Sequence, residues 1–170
     1  CKIKSVSLRY FNVCGADQSG QIGEAKPTPT TLMTLAISQI LGKIPLLSIF
    51  GDDYDTSDGT GIRDYIHPTD LATGHLSALS YLKNNNQSEI INLGTGNGYR
   101  VYQVINAVEE VSGQKVVTKV VERRSGDPSV SIASPKKAKE LLGWQAHFDI
   151  AEMAASAWKW HQNHPNGYEK

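Results

Sequence analysis

The stretch RDYIH combines a guanidinium, a phenol and an imidazole in a short span of chain. Side chains of a strand alternate between its two faces, so a strand here predicts Arg63, Tyr65 and His67 on one face. An arginine in such a position can bind a phosphate through two parallel hydrogen bonds. The alternative is an internal ion pair between Arg63 and the nearby Asp64 or Asp70.

A second basic stretch, ERRSGD, has the composition of a turn that binds a nucleotide. The guanidiniums of Arg123 and Arg124 suit a diphosphate, and the carboxylate of Asp127 suits a pair of ribose hydroxyls. A solvated charged turn is the alternative. Asn12, where the strand LRYFN ends, has an amide that can reach a ligand, although a plain strand-to-turn transition explains it equally well.

The loop GTGNG follows an apolar strand and is the closest match in this chain to a dinucleotide-binding loop. That fingerprint needs G-x-G-x-x-G and an acidic residue about 20 positions further on. Here the third glycine comes one position early, and Glu122 closes the next strand too late. We therefore interpret Gly94, Gly96 and Gly98 as a sharp strand-to-helix turn. No other such motif and no P-loop occurs in the sequence.

The sequence contains no complete catalytic set. None of the 7 tyrosines is followed four positions later by a lysine, and neither H-E-x-x-H nor G-x-S-x-G occurs. His161 and His164 would need a third ligand to hold a metal, so we expect them at a solvated helix end. We therefore predict no catalytic residue and no metal site in this chain.

The elements that position these groups alternate between strand and helix, which predicts an α/β fold. We expect Thr69 and Asp70 to cap the second helix, and Ser134 with Pro135 to begin the fourth. The predicted strands are residues 3–13, 46–51, 63–67, 90–94 and 115–122. The predicted helices are residues 31–43, 71–83 and 101–113, one beginning at Ser134, and an amphipathic helix ending before Pro165.

Composition limits the partners. The 17 basic and 17 acidic residues cancel, which argues against nucleic acid or an anionic membrane as a partner. No apolar stretch approaches the ~20 residues of a membrane span. Cys1 and Cys14 lack metal-binding spacing, so we expect free thiols in the cytoplasm. Because the chain lacks an initial Met and starts almost directly in a strand, we expect it to be part of a longer protein.

Five stretches together resemble the carboxyl-terminal half of the UDP-glucose 4-epimerases, a family of extended short-chain dehydrogenases/reductases. In the family's order they are LRYFNVCGADQSGQIGE, LLSIFGDDYDTSDGTGIRDYIHPTDLATGH, INLGTGNGY, RRSGDPS and WKWHQNHPNGY. The resemblance implies the last strands of a Rossmann-type sheet and a small mixed α/β substrate-binding subdomain. It also implies that residues 1–170 form a UDP-sugar-binding half. The NAD-binding half, with its G-x-x-G-x-x-G loop and Tyr-x-x-x-Lys, is not in this chain.

The resemblance also implies roles for individual residues. Arg63 and Arg124 would hold the UDP diphosphate, Asp127 would bind the ribose, and Phe11 would contact the nicotinamide side of NAD. The other substrate-binding residues would be Asn12 at the diphosphate, Leu32, Ser48 and Phe50 at the uridine and sugar, Tyr65 in the same block, and Thr31 and Ser131.

Two positions depart from the usual family pattern. Thr30 and Thr31 stand where the family commonly has two asparagines, so the Thr31 hydroxyl would reach less far than an amide. At the position of Ser131, members confined to plain hexoses tend to have a bulky aromatic residue, whereas members that accept N-acetylhexosamines have Ser or Cys. We therefore expect the intact enzyme to accept N-acetylhexosamine substrates as well.

The activity implied by the resemblance is NAD-dependent inversion at sugar C4, between UDP-glucose and UDP-galactose, through a 4-keto sugar. This chain would anchor UDP, and alone we expect it to bind weakly and turn nothing over. Members of the family are commonly homodimers, although this chain's residues give no interface signal. Two alternatives stay open: another nucleotide-sugar enzyme of the same superfamily, and a stand-alone nucleotide-sugar-binding or purely structural domain.

Overall fold

A computed structural model describes residues 3–168, and its architecture is α/β, as the sequence predicts. The helices are α1 (Leu32–Ile40), α2 (Pro68–Asn85), α3 (Val101–Ser112), α4 (Lys136–Leu142) and α5 (Ile150–Asn163). The strands are β1 (Val6–Tyr10), β2 (Asn12–Val13), β3 (Leu47–Phe50), β4 (Ile62–Arg63), β5 (Tyr65–Ile66), β6 (Glu89–Leu93), β7 (Tyr99–Arg100), β8 (Thr118–Val121) and β9 (Val130–Ser131).

The strands pair mainly in parallel and form several small sheets. β1 lies beside β6, β2 beside β5, and β3 beside β8, each pair parallel. β4 lies between β7, which is antiparallel to it, and β9, which is parallel. Parallel neighbours need long crossover connections, and α1, α2 and α3 lie within those connections. The parallel β1–β6 pair fits the last strands of a Rossmann-type sheet that the resemblance implies. The mixed sheet of β4, β7 and β9 fits the small α/β subdomain.

Two apolar clusters hold these elements together. The first lies among α1, α3, α5 and β3, where Met33, Ile37 and Val104 are fully buried. The second lies between α2, α4 and the β1–β6 pair, where Ile91 and Leu93 are fully buried. Each such side chain contributes about 1.5–3 kcal/mol when it leaves water. The first cluster therefore gives a rigid base to the loops around β3 and α1.

Two predicted strands are interrupted, and one of the breaks has a clear cause. The strand expected over 63–67 changes partners at Asp64, whose N–H donates to Ser131 O at 3.0 Å and whose carbonyl accepts from Asn12 N at 3.0 Å. Residues before Asp64 therefore pair with β7 and β9, and residues after it pair with β2. The strand expected over 3–13 divides at Phe11 into β1 and β2.

Two predicted helix caps are wrong. α2 begins at Pro68, and its cap is the His67 side chain, which accepts a hydrogen bond from Thr69 N, so Thr69 and Asp70 lie inside the first turn. Asp70 instead accepts hydrogen bonds from backbone N–H groups at residues 147–148. α4 begins after Pro135, and the Ser134 side chain makes no capping bond.

Of the two cysteines expected to be free thiols, only Cys14 lies within the described residues. Cys14 is a buried free thiol whose Sγ lies 3.3 Å from Met153 Sδ. Burial raises its pKa, so the thiol stays protonated and unreactive at neutral pH. Cys1 lies outside the described residues. Over residues 3–168, none of the helices has the length and apolar character that a membrane crossing requires.

Candidate functional site

Nine of the ten substrate-binding residues predicted from the sequence line one cavity of about 350 Å³. It opens between the start of α1, β3, the β4–β5 segment and the turn that follows β8. The nine are Asn12, Thr31, Leu32, Ser48, Phe50, Arg63, Tyr65, Arg124 and Asp127. Mostly apolar walls with a few polar groups, in a cavity of this size, are typical of small-molecule sites. We call this the substrate cavity.

Arg63 is held in the cavity wall by two hydrogen bonds. Its Nη2 donates to Asp127 Oδ1 at 2.5 Å, and its Nη1 donates to Ile62 O at 2.8 Å. A guanidinium has five N–H donors, and within residues 3–168 the remaining ones have no partner. Neither Asp64 nor Asp70 pairs with Arg63. The side chain is therefore fixed in place and still has donors for a ligand oxygen.

Arg124 presents an available positive charge at the cavity. Its guanidinium carbon lies 3.8 Å from the centroid of the Phe50 ring, a cation–π contact. The carbonyl of Arg124 accepts from Asp127 N at 3.2 Å, which closes the turn. Across residues 3–168, no carboxylate is close enough to Arg124 to form an ion pair with it. An anion bound beside Phe50 would therefore meet a cation without a competing internal partner.

Arg123 points away from the cavity, contrary to the expectation that both guanidiniums face one diphosphate. It forms an ion pair with the Asp53 carboxylate, donates to the Asp53 carbonyl, and lies 4.0 Å over the Tyr54 ring. Consecutive residues of an extended segment point to opposite sides, so only one of the pair can face the cavity. Arg124 occupies that position.

The apolar wall of the cavity comes largely from β3 and the start of α1. In β3, Leu47 and Ile49 are buried in the core, whereas Ser48 is half-buried and Phe50 is 38% exposed. Because the Arg124 guanidinium lies over one face of the ring, Phe50 offers a ligand the rest of its exposed apolar surface. Leu32, the first residue of α1, lies at the same wall.

Tyr65 and the exposed Asn12 form a polar part of the cavity wall. They are register partners in the β2–β5 pair, and Tyr65 is only 4% exposed. Burial raises the pKa of the Tyr65 phenol, so the group is protonated at neutral pH. Tyr65 can therefore donate a hydrogen bond to a ligand, but it is not suited to act as a general base.

Thr31 lies at the cavity with its hydroxyl already engaged. Its Oγ1 is 3.0 Å from Glu24 Oε2 and 2.9 Å from Thr34 Oγ1, and Thr34 itself donates to Glu24 at 2.6 Å. Burial acts to raise the pKa of Glu24, but hydrogen bonds from the two threonines and the nearby Lys26 lower it overall. The ionised Glu24 thus holds the Thr31 hydroxyl and reduces its reach toward a ligand.

Ser131 and Phe11 line an adjoining recess that also contains Asn12. Ser131 is the register partner of Arg63 in the β4–β9 pair, so it lies close to the substrate cavity without lining it. Phe11 is half-buried at the break between β1 and β2. The structure therefore places these two predicted residues together, in a recess that shares Asn12 with the substrate cavity.

The glycine loop encloses a carboxylate of the protein itself. Asp64 Oδ1 accepts from Thr95 N at 3.0 Å and Thr95 Oγ1 at 2.7 Å, and Oδ2 accepts from Gly96 N at 2.9 Å. A Cβ at Gly94 would collide with Ala133 Cβ and approach Asp64 Oδ2 to 2.8 Å. The loop is therefore the sharp strand-to-helix turn expected from the sequence, and these amides are not available to a phosphate.

His67 does not share a face with Arg63 and Tyr65, contrary to the expectation for a continuous strand. The break at Asp64 turns it into the interior, where it is fully buried and stacks on Phe148 at 4.0 Å. Its Nδ1 accepts from the N–H of residue 69, which leaves Nε2–H to donate to Ser156 Oγ at 3.1 Å. His67 therefore supports the fold.

The expectation of a solvated helix end is wrong for His161, whereas His164, the residue that follows α5, is partly exposed. His161 is buried, and burial together with the nearby Lys43 lowers its pKa. His164 stacks on Trp160 with the ring centroids 4.0 Å apart. In the portion of the chain that the structure describes, no group of three or more His, Cys, Asp or Glu side chains is arranged to hold a metal ion.

Two contributors to this region are not predicted from the sequence. Tyr54, in a segment expected only to be a loop, is buried and lines the substrate cavity. The sequence suggests Asp64 only as a partner for Arg63, whereas in the structure it joins three segments of the wall. The one available signal was its position between Arg63 and Tyr65. Its distant partners could not be inferred from spacing.

Comparisons with known proteins agree with this architecture. Residues 1–94 match the model of the NAD dependent epimerase/dehydratase family. The UDP-glucose 4-epimerase of Streptococcus mutans is 48% identical over 168 residues, which cover 98% of this chain and 50% of that protein. The crystal structure of UDP-glucose 4-epimerase from Bifidobacterium longum in complex with NAD+ and UDP has a TM-score of 0.91 at 41% identity, covering 97% of this chain and 49% of that one.

A third similar protein is the UDP-Glc/GlcNAc 4-epimerase of Campylobacter jejuni. Its structure has a TM-score of 0.78 at 43% identity, and the match covers 94% of this chain and 49% of that one. The chain spans about half the length of the curated relatives it matches. The expected resemblance and the extended short-chain dehydrogenase/reductase architecture are confirmed. The family model spans more than half of the chain, and the chain belongs to the NAD dependent epimerase/dehydratase family.

Proposed function

We propose that residues 1–170 are the UDP-sugar-binding half of an NAD-dependent UDP-hexose 4-epimerase. The observation that carries the proposal is the convergence of Arg63, Arg124 and Asp127 on one cavity beside the exposed ring of Phe50. Two cations, a carboxylate and a partly exposed aromatic side chain are the complement of a diphosphate, a ribose and a base. Two of the relatives named above are UDP-glucose 4-epimerases, and one of them was crystallised with NAD+ and UDP.

Each side chain has a role in this proposal that its chemistry allows. Arg63 and Arg124 bind the diphosphate oxygens, because charge-assisted hydrogen bonds from guanidinium groups are strong and directional. Asp127 accepts from the ribose hydroxyls through its carboxylate. The uridine and the sugar lie along the wall formed by Leu32, Ser48 and Phe50, within reach of Asn12 and Tyr65. Thr31 contributes least, since its hydroxyl is held by the protein.

The chain's role in the reaction is to anchor the substrate. Holding the UDP portion fixes where the hexose lies, and this remote binding energy serves to orient the reacting carbon. A sugar held only through UDP is free to turn over about its own linkage, which inversion at C4 requires. The buried, protonated Tyr65 is not the base for this step, and we place no catalytic residue in this chain.

The residues of this chain fit only a small part of NAD. The glycine loop, the other candidate for a dinucleotide, already encloses the Asp64 carboxylate. Phe11, in the recess beside Asn12, offers one aromatic contact, which we propose faces the nicotinamide side. When bound, NAD would accept and return the hydride at C4. We propose that most contacts to NAD come from an NAD-binding half outside this chain. That half would therefore be a partner of this chain.

We further propose that the intact enzyme accepts N-acetylhexosamines. Ser131 is small and lies in the recess next to the substrate cavity, where a bulky side chain would reduce the space. The Campylobacter jejuni relative is a UDP-Glc/GlcNAc 4-epimerase. The ratio of turnover on UDP-N-acetylglucosamine to turnover on UDP-glucose should fall in Ser131→Tyr. An unchanged ratio would contradict this role for Ser131.

A homodimer and a cytoplasmic location stay predictions. The first comes from the family resemblance and the second from cysteine usage. Sedimentation of the native protein at two concentrations would test the first, and a single monomeric species would contradict it. Cell fractionation would test the second, and recovery outside the cytoplasm would contradict it.

The proposed activity has a direct test. The native protein that contains this chain should convert UDP-galactose to UDP-glucose in the presence of NAD, as followed by NMR of the sugar protons. Free UDP should inhibit the conversion competitively, since it would occupy the same cavity. A native protein that binds neither UDP nor UDP-hexoses would overturn the proposal.

A further inference from the structure

Asp64 lies between two residues of the proposed substrate cavity and faces away from it. It is fully buried, and its carboxylate accepts four hydrogen bonds within the protein. Oδ1 receives the N–H and O–H of Thr95, and Oδ2 receives the N–H groups of Gly96 and Ala133, at 2.7–3.1 Å. Buried carboxylates need such partners, because an unpaired charge in the interior is strongly unfavourable.

These bonds connect three segments that are distant in the sequence. The loop at 94–96 follows β6, Ala133 follows β9, and Asp64 joins β4 to β5. The backbone of Asp64 adds two more links, since its N–H donates to Ser131 O and its carbonyl accepts from Asn12 N. One residue therefore fixes where β4, β5, β9 and β2 meet.

The side chains beside this junction are those that the substrate cavity uses. Arg63 ends β4 and Tyr65 begins β5, on either side of Asp64. A shift of the chain at Asp64 would therefore move a proposed phosphate-binding guanidinium and a buried phenol together. Displacements of about 1 Å are enough to reduce the strength of positioned contacts severely.

We infer that Asp64 is a positioning residue for the substrate cavity, with the specific role of setting Arg63 and Tyr65 against the bound nucleotide. The inference rests on the proposed function. Asp64 does not touch the ligand, and it acts through the backbone on either side of it. An asparagine replaces it poorly, because its NH₂ group would face the N–H of Thr95 in one orientation and the N–H groups of Gly96 and Ala133 in the other.

Asp70 provides a matched control. It is also a buried aspartate, and its carboxylate accepts from His147 N at 3.1 Å and Phe148 N at 3.2 Å. It lies in the first turn of α2 and joins that helix to the segment before α5, away from the substrate cavity. Its loss should weaken the fold without moving Arg63.

The experiment is calorimetric titration of UDP into the native protein and its variants, at a temperature where circular dichroism shows all of them folded. Asp64→Asn should bind UDP about tenfold more weakly, the loss expected when one charge-assisted hydrogen bond is misplaced. Asp70→Asn should bind within about twofold of wild type, a change smaller than one hydrogen bond. If Asp64→Asn does not fold, Thr95→Val, which removes one donor to Asp64, should show a smaller loss in the same direction.

Two outcomes would overturn the inference. One is wild-type affinity in the folded Asp64→Asn or Thr95→Val variants, and the other is equal losses in the Asp64 and Asp70 variants. If the wild type itself does not bind UDP, the proposed function fails instead. The positioning role is then judged by the NMR shift of the Arg63 Nε–H, which should move in Asp64→Asn and not in Asp70→Asn. An unmoved Arg63 signal in the Asp64 variant would contradict the role on its own.

Discussion

Two glycine-containing turns of this chain each follow a strand and each have groups that suit an anion, yet they use those groups differently. In the glycine loop at 94–98, the N–H groups of Thr95 and Gly96 donate to the carboxylate of Asp64. In the basic turn at 122–127, Arg124 stacks on an aromatic ring and has no carboxylate partner in the described part of the chain. A ligand site needs donors that the protein has not already satisfied.

The same distinction applies within the basic turn. Arg123 and Arg124 are adjacent and chemically identical, but Arg123 is bound by Asp53 and covers Tyr54. Only Arg124 faces the substrate cavity. Composition alone therefore overstates the number of cations available to a diphosphate, and the difference between the two arginines offers an internal control.

The largest effect should come from closing the space in the glycine loop. Gly94→Ala would force a Cβ against Ala133 and the Asp64 carboxylate, so we expect a loss of about 3 kcal/mol in the free energy of unfolding. Gly126→Ala, in the basic turn, has open space around it and only a φ of +77° to overcome, so it should cost about 1 kcal/mol. Urea unfolding of both variants measures the difference. Equal losses would show that the loop is not packed around Asp64 as described.

An intermediate effect is expected from salt. Arg124 is exposed, so its attraction for a diphosphate is screened, and the affinity for UDP should fall several-fold between about 0.05 and 0.5 M salt. The Asp64 carboxylate is buried, so the difference in unfolding free energy between wild type and Asp64→Asn should stay constant over that range. Titrations and urea unfolding at both salt concentrations test this. The reverse pattern, with stability screened and affinity constant, would contradict the comparison.

The smallest effect is expected from pH, through His67, whose hydrogen bonds, like those of the Asp64 carboxylate, are made within the protein. Burial lowers the pKa of His67, so the unfolded chain binds its proton at higher pH than the folded protein does. Stability is therefore complete above the unfolded pKa of about 6.5 and falls as the pH drops below it. His161, also lowered by burial, acts in the same direction.

Thermal unfolding without ligand between about pH 7.5 and 5 would show this decline. His67→Gln should reduce its slope, because one of the two groups is then absent. A midpoint that rises on acidification, or a slope that His67→Gln leaves intact, would show that His67 is not held neutral by its surroundings.

Sequence patterns predicted the alternation of helices and strands and nine of the substrate-cavity residues, the latter through family resemblance. They did not predict where a strand changes sheets, because no glycine or proline interrupts residues 62–67, although the hydrogen-bonding partners change at Asp64. The Arg63–Asp127 pair joins residues 64 positions apart, and Asp64 reaches a residue 69 positions away. Such contacts depend on the packed fold. The burial of His161 could not be predicted for the same reason, because the position of a residue in a helix does not reveal which segment packs over it.

In our proposal the substrate cavity holds a uridine diphosphate through Arg124, a cation with no carboxylate partner within residues 3–168. Titration of UDP against the native protein, Arg124→Ala and Arg123→Ala tests it most directly. We expect Arg124→Ala to bind UDP about tenfold or more weakly. Arg123→Ala should stay within about twofold of wild type, because the Arg123 side chain is paired with Asp53. Equal losses in the two variants, or a loss confined to Arg123→Ala, would contradict it.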